Sequence, residues 1–170
     1  MVSNEKIIEF FNLSPLPSEG GFYKETYRDS RIVEINLEGE IVSRSASTAI
    51  YYMVTPESFS TLHRLKQSEV FHFYMGDAAE MLLLHPNGKV EKIILGSDLS
   101  KGEKPQVIVP ARTWQGVRLR EQSENWSLMG TTVSPGFEFA DCELGDRVSL
   151  QNEYPSAKDL ISRFTRLDGE

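Results

Sequence analysis

The stretch "TLHRLKQSEVFHFYMGDAAEMLLL", residues 61 to 84, holds two of the chain's three histidines and, between them, Glu69, in a run that otherwise reads as β-strand. Three kinds of chemistry are open to His63, Glu69 and His72. Imidazole and carboxylate together suit a divalent first-row metal. Without a metal, a carboxylate bonded to one ring nitrogen fixes a histidine's tautomer and leaves the other nitrogen to take a proton from substrate, with His63 as base and Glu69 as its orienter. The third option is purely structural: the two groups satisfy each other as a buried polar pair, because an unpartnered buried charge is costly. Strand alternation puts His63 and Leu65 on one face, and Glu69, Phe71 and Phe73 on one face, with His72 and Tyr74 turned the other way. A bulge after Glu69 would reverse that parity and bring His72 in.

The elements that must position these groups are mostly strands. Ser3 followed by "NEKIIEFFNL" reads as a capped helix, with Ile7, Phe10 and Phe11 at helical spacing, and "SPLPSEGG" stops it. From Gly21 to about Phe139 the chain is a succession of short β-branched and aromatic segments, including "FYKETYR", "STAIYYMV", "EVFHFYM", "AEMLLLH", "VEKIIL" and "WSLMGTTV", separated by turn signals. The "NG" of "LLLHPNGKVEKIIL" predicts a two-residue type I′ hairpin turn. A closing helix is expected in "PSAKDLISRFTRL", with Leu160, Ile161 and Phe164 on its buried side. About ten strands with a short helix at each end describe an all-β sandwich or barrel of the jelly-roll kind, one domain over residues 1–170.

Composition narrows the function classes. The 25 acidic and 18 basic residues give a net charge of −7, which opposes phosphate backbones and anionic membranes. No apolar run is long enough to span a bilayer, and Met1 to Leu13 lacks the pattern of a secretory signal, so the cytoplasm is the expected compartment. Cys142 is the only cysteine, which excludes an intramolecular disulfide and a multi-thiolate zinc site; it reads as a small buried apolar residue. Ser134 and Glu138 show no histidine at triad spacing, and "GDRVSL" lacks the glycines and lysine of a phosphate loop. His85 reads as a hairpin flank, Trp114 as core, and Arg64 and Arg112 as outward-facing.

Residues 61 to 76 resemble the first signature of the cupin superfamily, with His63, Glu69 and Gly76 in place and Leu65 where the second histidine usually stands. "PARTWQ" resembles the second signature, with Pro110 in place, Arg112 for the glycine and Gln115 for the histidine. Over nearly the whole chain, "GGFYKETYR", "STAIYY", "LHRLKQSEVFHFYMG", "VPARTWQG" and "TVSPGFEFADCELGDR" resemble one branch, the cupin_5 (DUF985) family.

That resemblance implies a cupin double-stranded β-helix, a jelly-roll barrel paired into a homodimer, with the faces of His63 and Glu69 turned into the barrel. The residues themselves point to a small polar ligand, sugar-like or carboxylated, contacted by Gln115, Phe71, Phe73, Tyr51 and Tyr23; Tyr27 and Tyr52 are expected near the same mouth. A divalent ion would draw on His63, Glu69, Gln115 and His72, a thin set, because the amide of Gln115 replaces a good nitrogen donor. Some cupins epimerise or isomerise sugars without metal, and the expected activity is of that type, with proton transfer at His63. A metal-dependent enzyme and a non-catalytic binding module are the alternatives.

Overall fold

The computed structural model describes residues 2–120, Ser123 and residues 125–166. Met1 and Leu167, which end two of the segments read above, lie outside them. Helix α1, Asn4–Phe11, follows the N-cap Ser3 and closes on Asn12 in the left-handed region. Ile7 is buried, and Phe11 sets its ring edge-on to Tyr51, whereas Phe10 faces solvent.

Thirteen strands follow among the described residues: β1 Ser14–Pro15, β2 Phe22–Arg28, β3 Ile32–Leu37, β4 Glu40–Ser45, β5 Thr48–Val54, β6 Ser60–Leu65, β7 Glu69–Gly76, β8 Ala79–Leu84, β9 Val90–Leu95, β10 Gln106–Val109, β11 Trp114–Leu119, β12 Ser127–Val133 and β13 Cys142–Leu144. One sheet runs β1-β2-β5-β12-β7-β10 and the other β13-β6-β11-β8-β9, while β3 and β4 form a separate hairpin. All the named pairings are antiparallel, with neighbours that are distant in sequence, as in a jelly roll.

The two inner faces enclose a core of Tyr52, Val54, Phe71, Met81, Leu83, Val117 and Met129. Residues Ala79 to Leu84 of β8 are buried on both faces, which explains why "AEMLLL" shows no polar alternation. Met81 and Leu83 point to the inner core, whereas Leu82 and Leu84 join Trp114, Leu150, Ile161 and Phe164 beneath two C-terminal helices. These are α2, Arg147–Glu153, and α3, Lys158–Arg163, the latter preceded by a 3₁₀ turn at Pro155–Ala157. The sequence reading anticipated α3 but not α2, whose only buried residue is Leu150, too little apolar periodicity to announce a helix. Trp114 is core, as expected.

The β8–β9 hairpin forms, but its turn is not type I′. Gly88 has φ 84°, Asn87 is not in the left-handed region, Gly88 N–H bonds the His85 carbonyl, and His85 N–H bonds that of Lys89. A type I′ turn centred on Asn87 and Gly88 needs an N–H from Pro86 to bond the Lys89 carbonyl, and proline has none; the turn starts instead at His85, with Pro86 second, where φ near −65° suits an ordinary turn, and closes on glycine.

Three strands carry one extra residue: β2 at Thr26, β6 between Ser60 and His63, and β7 at Tyr74. The β7 irregularity falls beyond Phe73. The expected parity therefore holds from Glu69 to Phe73, and His72 faces outward.

Candidate functional site

Between the sheets lies a cavity of about 330 Å³. β6 contributes His63 and Leu65, β7 contributes Glu69 and Phe71, and β12 contributes Thr131 and Val133. Tyr52 and Ile50 come from β5, Tyr23, Glu25 and Arg28 from β2, and Glu19 from the turn before it. The segment Phe137–Phe139 completes the lining.

His63 is 3% exposed, and its Nδ1 lies 2.9 Å from the Thr61 main-chain carbonyl. A carbonyl only accepts, so Nδ1 carries the proton and Nε2 of the neutral ring holds a lone pair. The extra residue in β6 makes this contact available: at the bulge Thr61 N–H bonds the Glu19 carbonyl and Leu62 N–H bonds that of Phe164, which frees the Thr61 carbonyl for the ring. The expectation that Glu69 orients His63 is therefore corrected. The backbone does it.

Glu69 Oε2 accepts from Gln115 Nε2 at 2.6 Å, and the Thr131 hydroxyl also bonds this carboxyl. Burial raises the Glu69 pKa above the usual carboxylate value; His63, Thr131 and Gln115 offset that rise only in part, and the charge of Glu19 adds to it. Glu69 thus keeps a neutral, proton-donating form to higher pH than an exposed carboxyl. Tyr52 is pushed well above 10 by its burial, and its hydroxyl donates to the Gly20 carbonyl at 2.7 Å.

Sequence reasoning missed Glu19, read only as part of a helix stop. Its Oε1 accepts from Ser60 Oγ at 2.9 Å and lies 3.8 Å from His63 Nε2. The signal was the pair of glycines that follows. Gly20 sits at φ 92°, where a Cβ would come within 2.4 Å of the Phe59 carbonyl, so only glycine lets the turn press Glu19 against β6. Arg28 was missed because the extra residue at Thr26 shifts the β2 parity: Tyr23 and Glu25 face inward, then Arg28 rather than Tyr27. Arg28 donates to Glu25, to Glu138 Oε1 at 2.8 Å and to the Phe137 carbonyl, tying β2 to the loop over the mouth.

Of the named candidates, His63, Glu69, Phe71 and Tyr23 line the cavity. Gln115 is 1% exposed and reaches it only through Glu69. Phe73 packs against the inner core farther along β7. Tyr51 lies on the outer face between Phe11 and Tyr74, and Tyr52 takes the inward place. His72 contacts Gln106 and Thr132, away from the cavity. Cys142, half-buried, has its thiol pushed up to about 12 by burial and by the charges of Glu19 and Glu69, which makes it a poor nucleophile. Arg64 lies 4.3 Å over the Trp114 ring and pairs with Glu143, and Arg112 pairs with Glu38, so both face outward.

A model of the Cupin_5 family, described as "Cupin superfamily (DUF985)", matches residues 5–145. The chain belongs to this family. An uncharacterised protein of Saccharomyces cerevisiae is 32% identical over 132 residues, a match covering 72% of this chain and 66% of the yeast protein. A hypothetical protein from Leishmania major shares the fold at TM-score 0.88 with 29% identity, over 98% of this chain and all of that one. A structure from Shewanella oneidensis does so at 0.86 and 30%, over 99% and 100%. Oxalate decarboxylase from Bacillus subtilis, at 13% identity and TM-score 0.54 over 91% of this chain and 37% of that one, shows the cupin fold alone.

The donor set of this cupin does not fit a resident four-ligand metal. At the position of the usual second histidine Leu65 offers hydrocarbon to the cavity, and Gln115 lies outside the lining with its amide nitrogen on Glu69, which leaves only an amide oxygen where an imidazole usually stands. Among the described residues no three His, Cys, Asp or Glu side chains converge as metal ligands. His72, which could have filled the gap, points away.

Proposed function

We propose that this cupin binds a small polar metabolite in the cavity and isomerises it by metal-independent proton transfer, with His63 Nε2 as base and the Glu69 carboxyl as acid. The observation that carries the reading is the His63 Nδ1 bond to the Thr61 carbonyl, which leaves Nε2 to face a cavity that Glu69, its pKa raised by burial, also lines. A ring nitrogen able to accept a proton and a carboxyl that holds one to higher pH than usual are what removal and return of a proton require. At about 330 Å³ the cavity is at the small end of ligand sites, room for one ring.

The test is a metabolite screen in D₂O, read by NMR for protein-dependent exchange of carbon-bound hydrogen. The expected result is exchange that His63→Ala reduces by about 10²–10⁴-fold. Ligands that raise the melting temperature yet show neither exchange nor conversion would replace this reading with a binding module.

A further inference from the structure

Resting on that reading of the cavity, we propose that its guest is a cation: a small compound bearing an ammonium or amidinium group that sits against Glu19, with its apolar body on the rings of Phe71 and Tyr52. The lining carries four carboxyl groups, Glu19, Glu25, Glu69 and Glu138, against one guanidinium among the described residues; with Glu69 neutral, three negative charges still face one positive. That guanidinium, Arg28, is already paired with Glu25 and Glu138 and bonded to the Phe137 carbonyl, so its charge is met by two carboxylates before any guest arrives. Among the described residues Glu19 has no cationic partner at hydrogen-bond distance, His63 Nε2 standing 3.8 Å away. Arg166 lies close by but spends its guanidinium on the main-chain carbonyls of Glu19 and Phe59.

An acidic cluster alone would be no site. Here the second observation is His63, 3% exposed, whose Nε2 finds no partner nearer than Glu19 at 3.8 Å. A buried ring nitrogen open to the cavity marks the place of a guest, and the Glu19 carboxylate beside it favours one that carries positive charge. An ammonium donates to Glu19, leaves Nε2 to the C–H next to it and stacks its carbon skeleton on aromatic faces. A carboxylated or phosphorylated guest would instead bring like charge into a poorly solvated space. The chemistry agrees, since a positively charged nitrogen acidifies the C–H beside it and eases proton removal by His63.

Calorimetry on the full chain at pH 7.5 and low salt, with two shape-matched series, tests the charge. The first series is D-glucosamine, methyl β-D-glucoside and D-glucuronate; the second is benzylamine, benzyl alcohol and benzoate. The expected result is that the ammonium member binds about tenfold or more tighter than its neutral counterpart in at least one series, with the carboxylate weakest. Glu19→Gln, whose amide oxygen still accepts from Ser60, is expected to erase that preference. Equal or reversed order in both series, or no binding by either ammonium compound, overturns the proposal; if Glu19→Gln fails to fold, the wild-type order alone decides. Ammonium binding without hydrogen exchange would remove the isomerase reading and leave the charge inference standing. Exchange on a neutral or anionic ligand would do the reverse.

Discussion

The Glu69 carboxyl is held at a cost that its protonation state reveals. Burial raises its folded-state pKa, so the native chain binds this proton more tightly than the unfolded chain does. Stability from this group is then fully present below the unfolded value and falls as pH rises through the window up to the raised folded value. Glu69→Gln removes the buried charge while its amide oxygen still accepts from Gln115. The variant is expected to melt higher than wild type at pH 7, with the difference vanishing below pH 4, and to lose proton-transfer activity; melting curves across pH check it. A second residue-scale prediction concerns the metal. Leu65→His with Gln115→His restores the usual four-ligand cupin set beside His63 and Glu69, Gln115 being the direct cross-strand neighbour of His63. The double variant is expected to retain about one equivalent of a divalent first-row ion through gel filtration, where wild type retains none, by elemental analysis.

Among the elements, the two that bracket the cavity are built from different kinds of constraint. The Glu19 turn depends on Gly20: Gly20→Ala forces a Cβ against the Phe59 carbonyl at φ 92°, and is expected to cost more than about 1 kcal/mol and to displace Glu19 from Ser60. Urea unfolding and the amide shifts of Ser60 to His63 report both effects. The C-terminal helices depend on packing. Phe164 is fully buried against the outer face of the five-stranded sheet, its carbonyl accepts from Leu62 N–H beside the bulge, and Phe164→Ala is expected to cost about 3–5 kcal/mol by urea unfolding. None of α2 was legible in "RVSLQNE", because a helix that buries one side chain owes its existence to the sheet beneath it.

At the scale of the whole molecule, two sheets closed over a cavity leave edges. β10 ends the six-stranded sheet with Ile108 64% exposed, and β9 ends the other. An unpaired edge with an exposed apolar residue is a template for a second copy, and pairing through β10 is our proposal for the assembly. Light scattering is expected to give twice the 19.3 kDa chain mass, and Ile108→Lys to return it toward one chain. A wild-type mass of 19.3 kDa at micromolar concentration would reject the pairing. No helix among the described residues is long and apolar enough to cross a membrane.

By itself, the sequence determined the strands, the jelly-roll class, the family and the inward parity of His63, Glu69 and Phe71, because alternation and turn chemistry are local and leave their period in the chain. Only the tertiary structure decided who partners whom. The Thr61 carbonyl replaced Glu69 as the orienter of His63, Glu19 and Arg28 entered the cavity, Tyr52 took the place expected of Tyr51, and His72 stayed out. The Thr61 contact turns on the residue inserted in β6, Arg28 on the one inserted at Thr26 and Glu19 on a glycine turn pressed against a distant strand, whereas Tyr52 and His72 follow plain alternation along uninterrupted stretches of β5 and β7. One extra residue flips every side chain beyond it, and apolar patterning carries no mark of where that extra residue will sit.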